Sequence, residues 1–333
     1  MRAALLEESG PIESSPLKLR DVPDPVPGER EVRVRVACCA ICRTDLHIIE
    51  ADLAPAKRPV IPGHQVVGTV DQLGRGCTRF KTGDRVGIAW LRHTCGQCRF
   101  CTSGRENLCP SSQYTGYHAD GGFAEFAVVH EDFAYAIPKQ FDDVHASPLL
   151  CAGIIGYRAM LRSGVRDGET LAIFGFGSSA HVIAQIAKRR HRCDLYVVSR
   201  SRSHQRLARE LGAAWVGDDA TKMPRSPHAA IVFAPAGEVV LPALACLDRG
   251  GAVALAGIHM SPIPSIDYDR YLFQERDIHP VTANTREDGR RLLDEASAAA
   301  VVPHVKTYRL DQANEALADL KHGRIDGTGV LVV

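Results

Sequence analysis

The first 138 residues consist of short apolar segments separated by proline- and glycine-rich breaks. In Glu31–Val36, valines alternate with charged residues at a period of two, which predicts a strand with a buried face and a solvated arginine face. Similar segments at residues 66–70, 84–88 and 123–129 are each bounded by turn residues. We therefore predict a β-rich domain in this part of the chain.

After Pro148 the pattern changes. Residues 149–161, including Cys151, have helical spacing, and a strand pattern follows at 171–174. Strand patterns at 195–198, 229–233 and 252–256 then alternate with helical patterns at 205–211 and 241–247. This alternation predicts a parallel, doubly wound α/β sheet. Two amphipathic helical patterns and a final strand at 330–333 follow Thr282.

Composition narrows the function without identifying it. The 333 residues predict about two domains, and 45% hydrophobic with 24% charged residues is ordinary for a globular protein. A net charge of +1 argues against a nucleic-acid partner. We see no apolar run of membrane-spanning length and no signal peptide, so we expect a cytoplasmic protein without a membrane partner. In that compartment the eleven cysteines are expected to be metal ligands or core residues rather than disulfides.

Four cysteines form the most specific motif. Cys95, Cys98, Cys101 and Cys109 could hold a structural zinc ion in a closed tetrahedral site. An iron–sulfur cluster is the alternative, because the spacing begins like a ferredoxin motif and Pro110 follows the last cysteine. Seven residues rather than three before that cysteine weaken the alternative.

A glycine-containing turn follows the predicted strand at 171–174. Gly175 would make the turn, Gly177 would let the backbone approach a pyrophosphate, and Ala180 would permit close packing of a helix beginning near Ser179. The helix N-terminus would then face the pyrophosphate. This pattern predicts a dinucleotide site.

The end of the next predicted strand bears on cofactor choice. An NAD site usually places an acid there, about 20 residues after the glycines, to bind the ribose hydroxyls. This chain has Ser199 and Arg200 instead, with Arg202 beyond them. Ser199 can donate a hydrogen bond to a 2′-phosphate and Arg200 can pair with it, so we expect NADP(H) to be preferred and NAD(H) to be possible. The alternative is that these arginines are simply solvated.

A second metal site is predicted from three distant residues. Cys42 opens a segment that also contains a threonine, an aspartate and a histidine, while His64 follows a glycine and Cys151 precedes the nucleotide-binding pattern. Three protein ligands leave the fourth position of a catalytic zinc open. The alternative is two core cysteines and an unrelated histidine.

The motifs occur in a recognisable order: Cys42–His47, Gly63-His64, the four cysteines and Gly175–Ala180. Over essentially its whole length the chain resembles the zinc-dependent alcohol dehydrogenases of the medium-chain dehydrogenase/reductase family. The resemblance implies a Rossmann domain inserted in a β-rich, GroES-like catalytic domain with a four-cysteine zinc lobe. We place the catalytic domain at 1–147 and 286–333, the lobe at 93–112 and the Rossmann domain at 148–285.

The same resemblance implies the chemistry. Two zinc ions per chain are expected, and the catalytic one, in the interdomain cleft, would assist hydride transfer between a nicotinamide cofactor and a small alcohol or aldehyde. Thr44 would accept the substrate proton and His47 would pass it to solvent, while Arg43 would contact the cofactor pyrophosphate. Asp45 would orient His64. We expect a homodimer or a homotetramer.

One departure and two alternatives accompany this interpretation. The family usually has Glu after the histidine ligand, but this chain has Gln65. A reductase that uses NADPH on an activated double bond or an iminium, with a vestigial zinc, is opposed by the intact Cys/His/Cys set. A non-catalytic zinc scaffold or nucleic-acid binder is opposed by the near-neutral charge and the glycine turn.

Overall fold

The computed structural model describes residues 1–54 and 56–333. Two compact units are present. The β-rich unit comprises Met1–Cys151, Ala283–Leu293 and Pro303–Val333, and the parallel-sheet unit comprises Ala152–Thr282 and Asp294–Val302. In chain order the second unit therefore interrupts the first.

The β-rich unit begins with short strands and three helices, which account for the apolar segments of the sequence. Their bounds are β1 (Arg2–Leu6), β2 (Leu17–Asp21), β3 (Glu31–Ala40), α1 (Arg43–Ile49), β4 (Val66–Leu73), β5 (Arg85–Ile88), β6 (Leu91–His93), α2 (Arg99–Thr102), β7 (Gln113–Tyr114), β8 (Phe126–His130), β9 (Ala134–Ala136) and α3 (Asp143–Ala146).

The parallel-sheet unit alternates helices and strands. Its elements are α4 (Ala152–Ser163), β10 (Thr170–Phe174), α5 (Ser178–Arg189), β11 (Asp194–Val198), α6 (Arg202–Glu210), β12 (Trp215–Gly217), β13 (Ala229–Val232), α7 (Val240–Cys246), β14 (Ala252–Leu255), α8 (Tyr268–Tyr271) and β15 (Asp277–Pro280). The strands form one sheet in the order β12-β11-β10-β13-β14-β15, and each pairing is parallel. The order reverses between β10 and β13, and ligands bind at such a switch point, beyond the carboxyl ends of the strands.

The chain then returns to the β-rich unit through α9 (Arg286–Ala298), β16 (Val305–Arg309), α10 (Ala313–Lys321) and β17 (Thr328–Val332). Helix α9 begins in the β-rich unit and ends in the parallel-sheet unit. Strand β17 pairs antiparallel with the end of β3, in a sheet of order β16-β17-β3-β4-β5-β9 to which β8 is added alongside β3.

The period-two prediction for β3 is confirmed for its apolar face. Val32 and Val34 are fully buried. On the opposite face Arg35 is exposed, as predicted, but only 16% of the Arg33 side chain is accessible. Arg33 pairs with Asp71 at 2.9 Å, and its guanidinium lies 4.7 Å from the Phe126 ring centre. The prediction of a fully solvated arginine face is therefore wrong at Arg33.

Two element boundaries also differ from the prediction. Helix α4 begins at Ala152 after a 3-10 turn at Ser147–Leu150, so Cys151 lies just before the helix and not on it. The backbone of Cys151 (φ −137°, ψ −65°) is not helical, so the 3-10 turn ends there and α4 begins in a different direction. Strand β8 begins at Phe126, because the preceding residues bond to other segments of the β-rich unit.

Among residues 1–54 and 56–333, no single helix is both long and apolar enough to cross a membrane. One bent pair, Asp143–Leu150 followed by Ala152–Ser163, passes that test by length and composition only.

Candidate functional site

Cys42 and His64 are brought together by an antiparallel strand pair. Strand β3 pairs with β4 up to the contact between Cys39 and Val66. Cys42 follows the end of β3 and His64 precedes the start of β4, so the two predicted ligands lie at the same end of the pair. Residues that are far apart in sequence therefore become neighbours because of strand register.

Ser147 places Cys151 beside them. Its buried hydroxyl donates to the carbonyl of Gln65 at 2.6 Å and accepts the Ala40 N–H at 2.7 Å. This one side chain therefore links the ends of β3 and β4 to the 3-10 turn that leads to Cys151. The sequence offered no signal for Ser147, since a lone serine in an apolar segment is unremarkable.

The three predicted ligands converge. One ligand atom from each of Cys42, His64 and Cys151 lies within 4.8 Å of the others. His64 is fully buried, and among the described residues its Nε2 has no hydrogen-bond partner. A tetrahedral zinc with bonds of about 2.3 Å to sulfur requires sulfur separations of about 3.8 Å, so the donor set suits this ion. A buried imidazole nitrogen beside two sulfurs is a donor set that a zinc ion would satisfy.

The electrostatics of the site favour a cation. A hydrogen bond from the Cys151 thiol is the main cause of a Cys42 pKa well below its usual range, and the same bond, with burial, raises the pKa of Cys151. Burial acts to lower the pKa of His64, but the charge of Asp45 and the sulfur of Cys42 raise it to about 10. The two sulfurs thus share a proton, and a divalent ion could replace it and leave both as thiolates.

Asp45 contacts both Cys42 and His64 and holds them in position. It is fully buried, and its Oδ1 lies 3.1 Å from His64 Nδ1 and accepts the Gly63 N–H at 3.2 Å. Its Oδ2 accepts the Cys42 N–H at 2.8 Å. With Nδ1 held by a carboxylate, Nε2 is the ring nitrogen of His64 that a metal ion would bind. The predicted contact between Asp45 and His64 is present.

Helix α1 places the remaining predicted residues. Cys42 is the N-cap of the helix, and its sulfur accepts the Thr44 N–H at 3.3 Å. The Thr44 Oγ1 lies 3.4 Å from the same sulfur, and Thr44 is buried. His47 follows one turn later, on the same face of the helix. Arg43, the first helical residue, is exposed.

The four cysteines of the second motif also converge. Their sulfur atoms lie within 4.8 Å of one another, and separations of 3.5 Å (Cys98–Cys101), 3.6 Å (Cys95–Cys109) and 3.9 Å (Cys95–Cys101) are close to the edge of a zinc–sulfur tetrahedron. They are far too long for disulfides. The Cys98 N–H points at Cys95 Sγ from 3.4 Å. Backbone N–H groups, chiefly that of Gln97, lower the pKa of Cys95 to about 6, which favours the thiolate.

A salt bridge ties this lobe to the returning chain. The guanidinium of Arg286, at the start of α9, contacts Oε2 of Glu106 at 2.7 Å and Oε1 at 3.0 Å, and the backbone N–H of Arg286 donates to the same carboxylate. Its guanidinium lies 4.6 Å from the Phe133 ring centre. Arg286 lowers the pKa of Glu106 although burial acts to raise it. Sequence reasoning missed this contact because its partners are 180 residues apart.

The predicted dinucleotide turn has the required backbone. Gly175 has a φ of +87°, a left-handed conformation that other residues adopt at a cost. A Cβ on Gly177 would meet open space, and Gly177 caps α5 without a side chain. Ala180 is fully buried. The helix N-terminus is therefore open to an anionic group at the turn after β10.

Ser199 and Arg200 follow β11, as predicted. Ser199 is buried and Arg200 is exposed. The neighbouring strand brings in an acid that the sequence pattern does not reveal: the Ser199 N–H donates to the carbonyl of Gly217 at the end of β12, and Asp218 comes next. Asp218 is exposed. An acid therefore follows the adjacent strand rather than β11 itself.

Trp90 packs directly against His64. Its ring meets that of His64 edge to face, with centres 4.9 Å apart, and Tyr114 stacks on it with centres 4.7 Å apart. Tyr117 extends the stack at 6.0 Å and donates its hydroxyl to the Ala54 carbonyl. An aromatic stack thus leads from the buried imidazole towards the surface.

Comparison with known proteins agrees with this arrangement. Residues 28–139 match the alcohol dehydrogenase GroES-like domain. "Probable alcohol dehydrogenase AdhA" of Mycobacterium tuberculosis (strain CDC 1551 / Oshkosh) is 47% identical, over 100% of this chain and 97% of its own. A solved NAD-dependent alcohol dehydrogenase, 25% identical, superposes with a TM-score of 0.91 and full coverage of both chains. The cobalt- and zinc-bound thermostable alcohol dehydrogenase of Pyrobaculum aerophilum, also 25% identical, superposes at 0.90 over 100% and 99%.

The Mycobacterium relative and the two solved structures match over the whole chain. The predicted fold class and family are confirmed. The chain therefore belongs to the zinc-dependent alcohol dehydrogenases of the medium-chain dehydrogenase/reductase family, enzymes that use zinc and a nicotinamide cofactor to transfer a hydride between an alcohol and an aldehyde.

Proposed function

We propose that Cys42, His64 and Cys151 bind the catalytic zinc of this enzyme. The observation that carries the proposal is the convergence of the three ligand atoms around a buried His64 Nε2. A zinc ion held there supplies a Lewis acid that makes an alcohol more acidic or polarises an aldehyde carbonyl. Asp45 keeps the His64 ring in the orientation that binds metal, through its contact with Nδ1.

Thr44 and His47 are the residues that handle the proton. The Thr44 hydroxyl adjoins the metal ligand Cys42, and Thr44 is only 4% exposed, so a proton released there needs a carrier. His47 lies one turn further along α1 and reaches the surface, with 17% of its side chain accessible. Thr44 takes the alcohol proton while passing on its own, and His47 delivers a proton to solvent.

A second zinc, bound by Cys95, Cys98, Cys101 and Cys109, gives two zinc ions per chain. It stabilises the lobe and takes no part in the reaction, since four thiolates leave no open position. The β-rich unit serves as the catalytic domain and the parallel-sheet unit as the dinucleotide-binding domain. The enzyme assembles as a homodimer or a homotetramer.

The cofactor is NADP(H) in preference to NAD(H). The pyrophosphate would lie on the α5 N-terminus at Gly175 and Gly177, with Arg43 as an additional contact. At the end of β11, the hydroxyl of Ser199 and the guanidinium of Arg200 suit a 2′-phosphate. Arg200→Ala should raise the Michaelis constant for NADP(H) by roughly tenfold or more, which is the loss of a charge-assisted hydrogen bond, and change that for NAD(H) little.

Asp218→Asn is the matched comparison, because this acid could instead bind the ribose hydroxyls of NAD(H). If NADP(H) is the natural cofactor, Asp218→Asn leaves its use intact or improves it. Wild-type kinetics that favour NAD(H), with Asp218→Asn impairing only NAD(H), would reverse the cofactor assignment and leave the dehydrogenase assignment unchanged.

The experiment that tests the catalytic assignment is an assay of alcohols and aldehydes with both cofactors, on the wild type and Cys42→Ser. The wild type should interconvert primary or secondary alcohols and their carbonyl products, and the variant should bind cofactor without turnover. Full activity in Cys42→Ser would remove that residue from the centre.

A further inference from the structure

His47 has a carboxylate partner that no part of the proposed relay uses. Its Nδ1 lies 2.9 Å from Oδ2 of Asp52, with 17% of the His47 side chain and 54% of the Asp52 side chain accessible. This separation is that of a good hydrogen bond. The pair lies at the solvent end of the face of α1 that carries Thr44.

The backbone after α1 is shaped to hold this contact. Ala51 adopts a left-handed conformation with a φ of +65°, which is uncommon for a residue with a side chain. The chain therefore reverses immediately after the helix, and the Leu53 N–H donates to the His47 carbonyl at 2.9 Å. Asp52 lies between these two points and is turned back towards the imidazole.

The end of the helix is itself anchored. The carboxylate of Glu50 accepts the Ile12 N–H at 2.9 Å and contacts the ammonium of Lys321 at 2.8 Å. The Ile49 carbonyl accepts the Gly10 N–H at 2.9 Å. The turn that carries Asp52 thus starts from a fixed point, and the position of its carboxylate is set by the fold.

The chemical consequence concerns the tautomer of His47. A carboxylate only accepts hydrogen bonds, so the nitrogen facing it must carry the hydrogen. A neutral imidazole with its hydrogen on Nδ1 has an acceptor lone pair on Nε2. In water a histidine side chain favours the opposite tautomer, with the hydrogen on Nε2, which cannot accept a proton there.

We propose that Asp52 is a positioning residue that keeps His47 in the tautomer whose Nε2 accepts the relayed proton. The kinetic part of the proposal rests on the relay proposed above. In that step Nε2 gains the proton, Nδ1 keeps its own on Asp52, and the resulting imidazolium later releases one proton to water. Asp52 ends the step unchanged, so atoms and charges balance without another reactant.

Nitrogen NMR of protein labelled with ¹⁵N-histidine tests the tautomer directly, and the signals lost in His47→Ala assign the residue. The wild type should show a protonated Nδ1 and an unprotonated Nε2. Asp52→Ala should move the ring towards the Nε2–H form, whereas Asp52→Asn, whose amide oxygen still accepts a hydrogen bond, should keep the wild-type pattern. A wild-type ring already in the Nε2–H form, or an unchanged pattern in Asp52→Ala, overturns the proposal.

Kinetics separate the tautomer from the relay. Asp52→Ala should lower kcat for alcohol oxidation at pH 7 by about tenfold, with little change in the Michaelis constant for alcohol, and Asp52→Asn should recover most of it. In a His47→Ala background Asp52→Ala should have no further effect, because it acts only through that ring. An equal loss in both backgrounds overturns the proposal.

Asp167→Ala is the matched control, since Asp167 contacts His191 Nδ1 at 2.7 Å and is similarly exposed. This variant should leave kcat unchanged. If His47→Ala itself keeps full activity, the relay fails, while the NMR result still decides whether Asp52 sets the tautomer.

Discussion

Replacement of Asp45 by Asn tests the proposed metal centre while keeping a side chain of the same size in the core. The carboxylate serves three groups: Gly63 N–H and His64 Nδ1 at Oδ1, and Cys42 N–H at Oδ2. The asparagine side chain has only one acceptor oxygen. If this oxygen takes the place of Oδ1, it still accepts from the Gly63 N–H and from His64 Nδ1, and the amide nitrogen takes the place of Oδ2. The Cys42 N–H then faces a second donor and is left unsatisfied beside the fully buried side chain of residue 45, although Cys42 itself is only partly buried.

The magnitude follows from that count. A fully buried, unsatisfied donor costs about 1–3 kcal/mol, and because Cys42 is only partly buried we expect the free energy of unfolding to fall by about 1 kcal/mol. Loss of the charge on the partner of a metal-bound histidine typically weakens metal binding by about 10–100-fold. Asp45→Ala would strand all three donors and could abolish folding, so Asn is the better substitution.

Two assays measure these effects. Urea unfolding gives the free energy of unfolding. Competition with a chromophoric chelator gives the two zinc affinities, and only that of the site containing His64 should fall. Asp142→Asn is the control, because Asp142 also caps a helix and contacts a histidine Nδ1, that of His145 at 2.8 Å, but is exposed. The control should behave like the wild type. Wild-type stability and zinc affinities in Asp45→Asn would refute the reasoning.

Three further outcomes are expected. Cys101→Ser should lower the melting temperature by several degrees and remove one zinc, unlike Cys246→Ser at a free thiol; calorimetry with metal analysis checks this. Glu106→Gln should destabilise the fold most above about pH 4.5, and by less as pH falls below it: the folded-state pKa of Glu106 is lowered, so the stabilisation by its carboxylate is fully present above its ordinary value of 4.5 and is lost as pH falls through the folded-state value. In Trp215→Phe, Trp90 is the single remaining tryptophan, and removal of zinc should quench its fluorescence at pH 7. The reason is that His64 without a metal has a pKa raised to about 10, and an imidazolium quenches indole fluorescence. In Trp90→Phe, removal of zinc should not change the fluorescence of Trp215.

Local patterns predicted most of the fold. The alternation of valine and arginine located β3, and the alternation of strands and helices located the parallel sheet, since both depend on neighbouring residues. The covering of Arg33 by Asp71 and Phe126 could not be predicted, because its partners come from other strands. The similarity of the whole chain to alcohol dehydrogenases favours the dehydrogenase function over the reductase and scaffold alternatives.

The sequence predicted the candidate metal ligands but not the residues that hold the site in place. Cys42, His64 and Cys151 are marked by residue type and by family resemblance. Ser147, which joins their strands, and Asp52, which faces His47, carry no such mark, because their importance depends on register and on a reversed turn. Tertiary contacts of this kind are absent from a single sequence.

The most direct test of the account is zinc content and alcohol oxidation measured on the same preparations of wild type and Cys151→Ser. The wild type should contain close to two zinc ions per chain and be active. Cys151→Ser should be folded, bind cofactor, retain one zinc and show no turnover. An active wild type with one zinc or none, or an active Cys151→Ser, would contradict the assignment of the catalytic centre.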